Sequence, residues 1–154
     1  IKNAARDVAQ YKRYKEVLGD SVGSLAKFGQ VKYNDSEKWK TISEAYADVK
    51  WQKKALNKHE TGEVHSIPYQ GNPNSVFDNY KDGVLQRRRY YGNDGRPRLD
   101  IDMTDHGNSK EHPVVPHYHN WYLDEKGTLK REAKHDNPLK LGHEIANKDI
   151  LEKR

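Results

Sequence analysis

The chain has 154 residues, of which 33% are hydrophobic and 33% are charged, and its formal net charge at pH 7 is +5. This length corresponds to about one domain with a small core, in which ten Tyr and three Trp supply much of the area that can be buried. The absence of Cys excludes disulfides and thiolate metal sites. The apolar runs are far shorter than the roughly 20 residues of a membrane-spanning helix. The basic charge favours a polyanionic partner: nucleic acid, an anionic membrane surface or an acidic protein.

The first third of the chain has the pattern of helices. It opens without a Met or an apolar leader, which predicts a piece of a longer polypeptide. Apolar residues recur at helical spacing from Ala4 to Leu18, and Gly19 is a stop signal. We predict a short second helix over 21–28. A third helix begins at Asp35 and Ser36 and ends near Asn57. Its apolar stripe consists of Trp39, Ile42, Tyr46 and Val49.

From Ser75 onward the apolar residues alternate with period two, which is typical of strands. Strands are predicted over 84–91 after a turn at 82–83, and over 99–103 after a turn at 93–95. Residues 121–123 and 128–130 flank a third turn. The polar tail that follows has one short predicted helix over 141–153.

Helices followed by antiparallel strands predict an α+β fold, with N-terminal helices packed on a twisted antiparallel meander of about four strands. The predicted boundaries are a helical part at 1–57, a connection at 58–73 with at most one short strand, and a β-rich catalytic part at 74–154. These parts are expected to form one compact domain.

Four of the eight His lie between His106 and His119, far more than the composition predicts for so short a segment. Histidine both takes and gives protons near neutral pH. Metal-free RNA cleavage needs one group to deprotonate the 2′-hydroxyl, another to protonate the leaving 5′-oxygen, and a cation to stabilise the charged phosphorane. We therefore predict His106, His117 and His119 as the acid–base groups, with Asp102 or Asp105 orienting one of them.

The spacing of these residues carries further predictions. His117 and His119 are two apart, so on a strand both point to one face while Tyr118 points to the other. If residues 93–95 close a hairpin, Arg87 and Arg89 lie across from Asp102 and Asp100. Two interpretations remain open for these arginines: cross-strand ion pairs, or a phosphate clamp assisted by Lys110.

The aromatic residues beside the histidines are candidates for base stacking. Trp121 and Tyr118 are predicted for this role, and Trp121 has the alternative of capping the sheet.

Two other interpretations of the histidines remain open. A metal site, for which His106, His117, His119 and Asp105 form a possible ligand set, is one alternative. A structural or nucleic-acid-binding use is the other. Our preferred interpretation contains no metal and no cofactor.

Two parts of the chain resemble a known group of proteins. The resemblance is carried in the helical part by residues 11–19, Phe28, 32–35 and Trp39, and in the second half by residues 86–91, 100–108 and 112–121. The helical part resembles a segment near the C-terminus of phage minor head proteins that is also found in bacterial polymorphic toxins. The second half is similar to the C-terminal toxin module of polymorphic toxins and contact-dependent inhibition effectors.

This resemblance implies an antibacterial effector that is secreted or delivered from a cell surface as part of a larger protein. It implies action in the cytoplasm of the target cell and neutralisation by a cognate immunity protein, which we expect to be acidic. Many such effectors are metal-independent ribonucleases of the barnase–colicin–RelE type, with N-terminal helices on a four-stranded sheet. The expected activity is therefore cleavage of tRNA or rRNA. A metal-dependent nuclease acting on DNA, an NAD-dependent ADP-ribosyltransferase and a non-enzymatic binding module are the alternatives.

Overall fold

The computed structural model describes residues 2–28, 36–104, 115–133 and 137–152. The chain divides into two compact units. The helical unit comprises Ile1–Trp51 and Lys140–Arg154, and the sheet unit comprises Gln52–Leu139. No helix in the described ranges is long and apolar enough to cross a bilayer.

The helical unit contains α1 (Lys2–Leu18), a 3₁₀ turn (Gly19–Val22), most of α2 (Ser36–Ala55), α3 (Leu141–Ala146) and α4 (Lys148–Leu151). The predicted helices from Ala4 to Leu18 and from Ser36 onward are confirmed, and Gly19, with φ of +63°, follows the end of α1. The core of the unit is built from residues at helical spacing on α1 and α2 together with the short segments that follow them. Its buried members are Tyr14, Leu18, Val22, Phe28, Ile42, Ala45, Val49 and Ala146.

The C-terminal tail forms two short helices where one was predicted. Asn147 separates α3 from α4 because its backbone leaves the helical region, with φ of −113° and ψ of 27°. Its side-chain amide donates to the carbonyl of His143 at 2.8 Å, which satisfies a group at the end of α3.

In the residues that the structure describes, the sheet unit contains six strands in sequential order: β1 (His59–Gly62), β2 (Val76–Lys81), β3 (Val84–Tyr91), β4 (Pro97–Asp102), β5 (His117–Leu123) and β6 (Leu129–Arg131). Strands β2 to β6 form an antiparallel meander, whereas β1 pairs with β2 in parallel. The α+β class is confirmed. The sheet has six strands in the described residues where about four were predicted, a minor difference, and it is mixed rather than purely antiparallel because β1 pairs in parallel with β2, a pairing that no tight turn signals.

The three predicted turns are present, and local chemistry explains each of them. Asp82 and Gly83 both have positive φ, 52° and 79°, and form the two-residue loop between β2 and β3. Gly95, with φ of 79°, lies in the turn between β3 and β4. In the last turn, the Asp124 carboxylate accepts from the backbone N–H groups of Lys126 and Thr128 at 2.9 and 2.8 Å. One of these turns joins β3 to β4, two of the strands that carry the candidate site.

The two faces of the sheet differ in chemistry. One face, the apolar face, buries Val76, Tyr90, Leu99 and Ile101. The other, which we call the polar face, carries the alternate residues of β3, β4 and β5. Its central members are Arg87, Arg89, Asp100, Asp102, His117 and His119.

Candidate functional site

The register of the three central strands places ionisable side chains in two cross-strand rows. Arg87 lies opposite Asp102, and Asp102 lies opposite His117. Arg89 lies opposite Asp100 in the neighbouring row, which His119 continues. The predicted cross-strand placement of the two arginines and two aspartates is therefore confirmed.

Both aspartates of the polar face are fully buried and paired with arginine. Arg89 donates from Nε and Nη2 to the two carboxylate oxygens of Asp100 at 2.8 and 3.0 Å, and Arg131 donates to Asp100 Oδ2 at 3.3 Å. Arg87 binds Asp102 through Nε to Oδ1 and through Nη2 to Oδ2, the second contact at 3.2 Å. Such fork-to-fork pairs hold both partners in a fixed orientation. The buried carboxylates are thus compensated by charge.

The pKa of Arg89 reflects the balance of these contacts. Burial by itself lowers the pKa of the guanidinium, but the hydrogen bond and charge of Asp100, followed by the contributions of Tyr91, outweigh burial and raise it. Arg89 is therefore a permanent cation that already has a carboxylate partner. Its guanidinium also lies 5.0 Å from the centre of the Trp121 ring, a cation–π contact.

Asp102 lies at the centre of a buried cluster with His117 and His119, which we call the Asp–His cluster. Nε2 of His117 is 3.1 Å from Asp102 Oδ2, and Nε2 of His119 is 3.3 Å from the same oxygen. The two imidazole rings are 4.9 Å apart and nearly perpendicular. All three side chains have no solvent exposure. The prediction that the two histidines share one face is confirmed.

The tautomer of His119 follows from its second ring nitrogen. Nδ1 lies 2.7 Å from the backbone carbonyl oxygen of Glu132. A carbonyl oxygen only accepts, so Nδ1 of His119 carries the hydrogen and donates it. In a neutral ring, Nε2 then presents its lone pair towards Asp102.

A cleft of about 650 Å³ lies beside the polar face within the sheet unit. It is formed by the loop after β1, the end of β2 and the start of β3, and its charged or titratable lining residues are Glu63, His65, Tyr80, Lys81, Arg87 and Arg89. Among the lining residues that the structure describes, Lys81, Arg87 and Arg89 are cationic and Glu63 is anionic, and the two arginines are already paired with Asp102 and Asp100. The cleft is therefore a polar surface of mixed charge and of a size that accommodates a nucleotide.

The loop that borders the cleft is held by hydrogen bonds. The side-chain amide of Asn79 donates to the carbonyl of Val64 at 3.0 Å and accepts from its N–H at 2.9 Å. Arg89 donates to the carbonyl of Ile67 at 3.3 Å. These contacts place exposed His65 at the cleft together with exposed Lys81.

Arg87 is the residue shared by the cleft and the Asp–His cluster. Its side chain is 20% exposed, lines the cleft and binds Asp102. An anion that enters the cleft would therefore contact a guanidinium whose orientation is already fixed by its ion pair with Asp102.

The remaining predicted site residues are distributed as follows. Trp121 lies on β5, on the polar face. Its side chain is half-buried and contacts Arg89, and its ring makes an edge contact with that of Tyr69, the two ring centroids being 6.1 Å apart. Tyr118 lies opposite Ile101, on the face turned away from the histidines, as the spacing predicts. His106, Asp105 and Lys110 lie outside the described residues.

Sequence analysis missed a second ionic cluster, which lies on the opposite face of the sheet. Arg88 donates from Nε and Nη2 to the two oxygens of Asp78, both at 2.8 Å, and neither side chain is exposed beyond 1%. His59 Nε2 lies 2.6 Å from Asp78 Oδ2. The alternation of Arg87, Arg88 and Arg89 along one strand was a signal that Arg88 faces the other way. Nothing local indicated Asp78 as its partner.

Comparison with known proteins identified no relative: no family model, no curated protein and no solved structure matches the chain.

Proposed function

We propose that the sheet unit is an RNA-cleaving endonuclease whose substrate binds in the cleft. The observation that carries the proposal is the position of Arg87. Its side chain lines the cleft beside Lys81 and His65, and its ion pair with buried Asp102 fixes its orientation. Lys81 and Arg87 supply positive charge for a phosphodiester, and His65 supplies an imidazole that can accept and donate a proton.

RNA provides its own nucleophile, so the chemical step needs only proton transfer and charge stabilisation. In the proposed step the 2′-oxygen forms a bond to phosphorus while the bond from phosphorus to the 5′-oxygen breaks. His65 accepts the proton of the 2′-hydroxyl, and a second group gives a proton to the 5′-oxygen. His106 remains the predicted donor of that second proton. Lys81 and Arg87 stabilise the additional negative charge on the phosphorane.

The burial of the Asp–His cluster changes the roles proposed for His117 and His119. A side chain without solvent exposure does not contact a polymer bound in the cleft. We therefore assign proton transfer at the cleft to His65 and give His117 and His119 a positioning role, in which they hold Asp102 and, through it, Arg87. The original assignment of proton transfer to His117 and His119 stays a prediction that the same assay tests.

The biological setting of this proposal is that of an antibacterial toxin domain acting on tRNA or rRNA, neutralised by an acidic immunity protein. The support for the setting is the sequence resemblance described above. Exposed Lys81 at the cleft adds a physical reason for an acidic inhibitor, because opposite potential accelerates association.

The test is cleavage of purified tRNA and rRNA by the purified chain in the presence of EDTA. We expect His65→Gln to lower the cleavage rate by about 10²-fold or more, the usual contribution of a general base. Lys81→Gln should weaken RNA binding and its dependence on salt, whereas Lys126→Gln, on the exposed turn between β5 and β6, is the matched control and should leave both unchanged.

Three outcomes would contradict the proposal. RNA binding without any product would indicate a non-enzymatic binding module. Cleavage of DNA that stops when the metal is chelated would indicate a metal-dependent nuclease. If His65→Gln keeps full activity while His119→Gln loses it, the group that transfers the proton belongs to the Asp–His cluster and is not His65.

A further inference from the structure

The Asp–His cluster has the composition and spacing of a metal-binding site. One ligand atom from each of Asp102, His117 and His119 lies within 4.8 Å of the other two. Two imidazoles and one carboxylate are a ligand set that zinc and neighbouring transition metals accept. The three residues come from two adjacent strands in fixed register, so the cluster is held in place by the sheet itself.

The distances within the cluster agree with those of a coordinated ion. Ligand atoms about 2.0–2.1 Å from a tetrahedral zinc ion lie about 3.3 Å from one another. The Nε2 atoms of His117 and His119 lie 3.1 and 3.3 Å from Asp102 Oδ2. Only small displacements would open space for an ion between the three atoms.

The hydrogen bonding of His119 supports coordination independently of these distances. Its Nδ1 donates to the Glu132 carbonyl, so Nε2 is the ring nitrogen that faces the carboxylate oxygen of Asp102. Metal-binding histidines characteristically donate their second nitrogen to a carbonyl or carboxylate in this way.

We propose that Asp102, His117 and His119 bind one divalent transition-metal ion of the Zn²⁺ class. The ion would bind Asp102 Oδ2 in place of the 3.2 Å contact from Arg87 Nη2, while Arg87 Nε keeps its contact with Oδ1. The two nitrogen ligands disfavour Mg²⁺ and Ca²⁺, which require several oxygen ligands. The inference rests on the cluster alone and holds whether or not the chain cleaves RNA. Its effect on the cleft is to fix Asp102 and thereby Arg87.

The test is metal binding by the intact chain after removal of metal with EDTA and dialysis. Titration calorimetry with Zn²⁺ should give one site per chain, and bound Co²⁺ should show the intense visible bands of a four-coordinate ion with mixed nitrogen and oxygen ligands. His119→Gln should weaken Zn²⁺ binding by at least about 100-fold. His59→Gln is the matched control, because His59 contacts a buried aspartate on the opposite face of the same sheet and should leave the affinity unchanged.

A measurement on the wild-type chain keeps the test decisive if His119→Gln does not fold. Adding Zn²⁺ should shift the side-chain ¹⁵N resonances of His117 and His119 and leave those of His59 and His143 in place. The proposal is overturned if calorimetry finds no site at micromolar Zn²⁺, if His119→Gln binds as tightly as wild type, or if the resonances that shift belong to other histidines. Because every readout is binding, failure here is distinct from failure of the cleavage assay in EDTA.

Discussion

His143 on α3 makes the helical unit sensitive to mild acid. The side chain is 2% exposed, and its Nδ1 accepts a hydrogen bond from the backbone N–H of Lys140 at 3.2 Å. Burial, reinforced by the charge of Lys140 and partly opposed by that of Asp48, lowers the pKa of His143 from 6.5 to about 4. Protonation would create a buried imidazolium and remove the lone pair of Nδ1 that accepts the hydrogen bond from the Lys140 N–H.

The sign of the effect follows from proton uptake. In the unfolded chain the imidazole takes up a proton near pH 6.5, whereas in the folded chain it does so near pH 4. The contribution of His143 to stability is complete above pH 6.5 and is lost as the pH falls from 6.5 to 4. At 1.36 kcal/mol per pH unit, this interval corresponds to about 3 kcal/mol.

The assay is urea unfolding followed by circular dichroism at half-unit steps from pH 8 to pH 4, for wild type and His143→Gln. The difference in unfolding free energy between the two proteins should be constant above pH 7, which is the internal control. Below pH 6.5 wild type should lose about 3 kcal/mol more than the variant. A proton NMR titration should place the pKa of His143 near 4. A midpoint near 6.5, or parallel stability curves throughout the pH range, would refute the argument.

Two further predictions concern packing and buried charge. Asp78→Ala removes the carboxylate that binds the fully buried Arg88 guanidinium and should cost about 3–5 kcal/mol in unfolding free energy. Asp94→Ala, in an exposed pair with Arg96, is the control and should cost less than about 1 kcal/mol. Equal losses of unfolding free energy in urea would contradict the claim that the buried pair matters more than the exposed one. Gly142→Ala should cost about 1–3 kcal/mol, because an added Cβ would lie 2.7 Å from Asp48 Cβ and 3.2 Å from Ala45 Cα. Gly92→Ala meets only ordinary contacts of 3.6 Å or more and is the control, so similar melting temperatures for the two variants would disprove the steric argument.

The features that sequence analysis predicted correctly are those with a local signal. The turn between β3 and β4, together with the register shift between Tyr90 and Tyr91, brings Arg87 to Asp102 and Arg89 to Asp100. The two-residue spacing of His117 and His119 placed them on one face. In both cases a short stretch of chain contains all the information that the geometry needs.

The features that it missed depend on contacts between distant segments. Parallel pairing of β1 with β2 has no turn signal, and the partnership of Arg88 with Asp78 requires the register of another strand. The burial of His117 and His119 likewise depends on what surrounds the sheet. The position of His65 at the cleft depends on the Asn79 amide, which holds the loop from a different strand.

The alternating arginines of β3 specify the pairing of the strand as well as its charge. A slip of one residue would move every side chain of β3 to the wrong face and separate all three arginines from their aspartates. A slip of two residues against β4 would break both native ion pairs, leaving one arginine opposite the other's aspartate and the second arginine opposite Thr104 or Arg98. Misaligned sheets would therefore bury unpaired charge, which costs several kcal/mol per ion. A one-residue insertion or deletion within β3 or β4 is accordingly far more damaging than one in the exposed turn between β5 and β6.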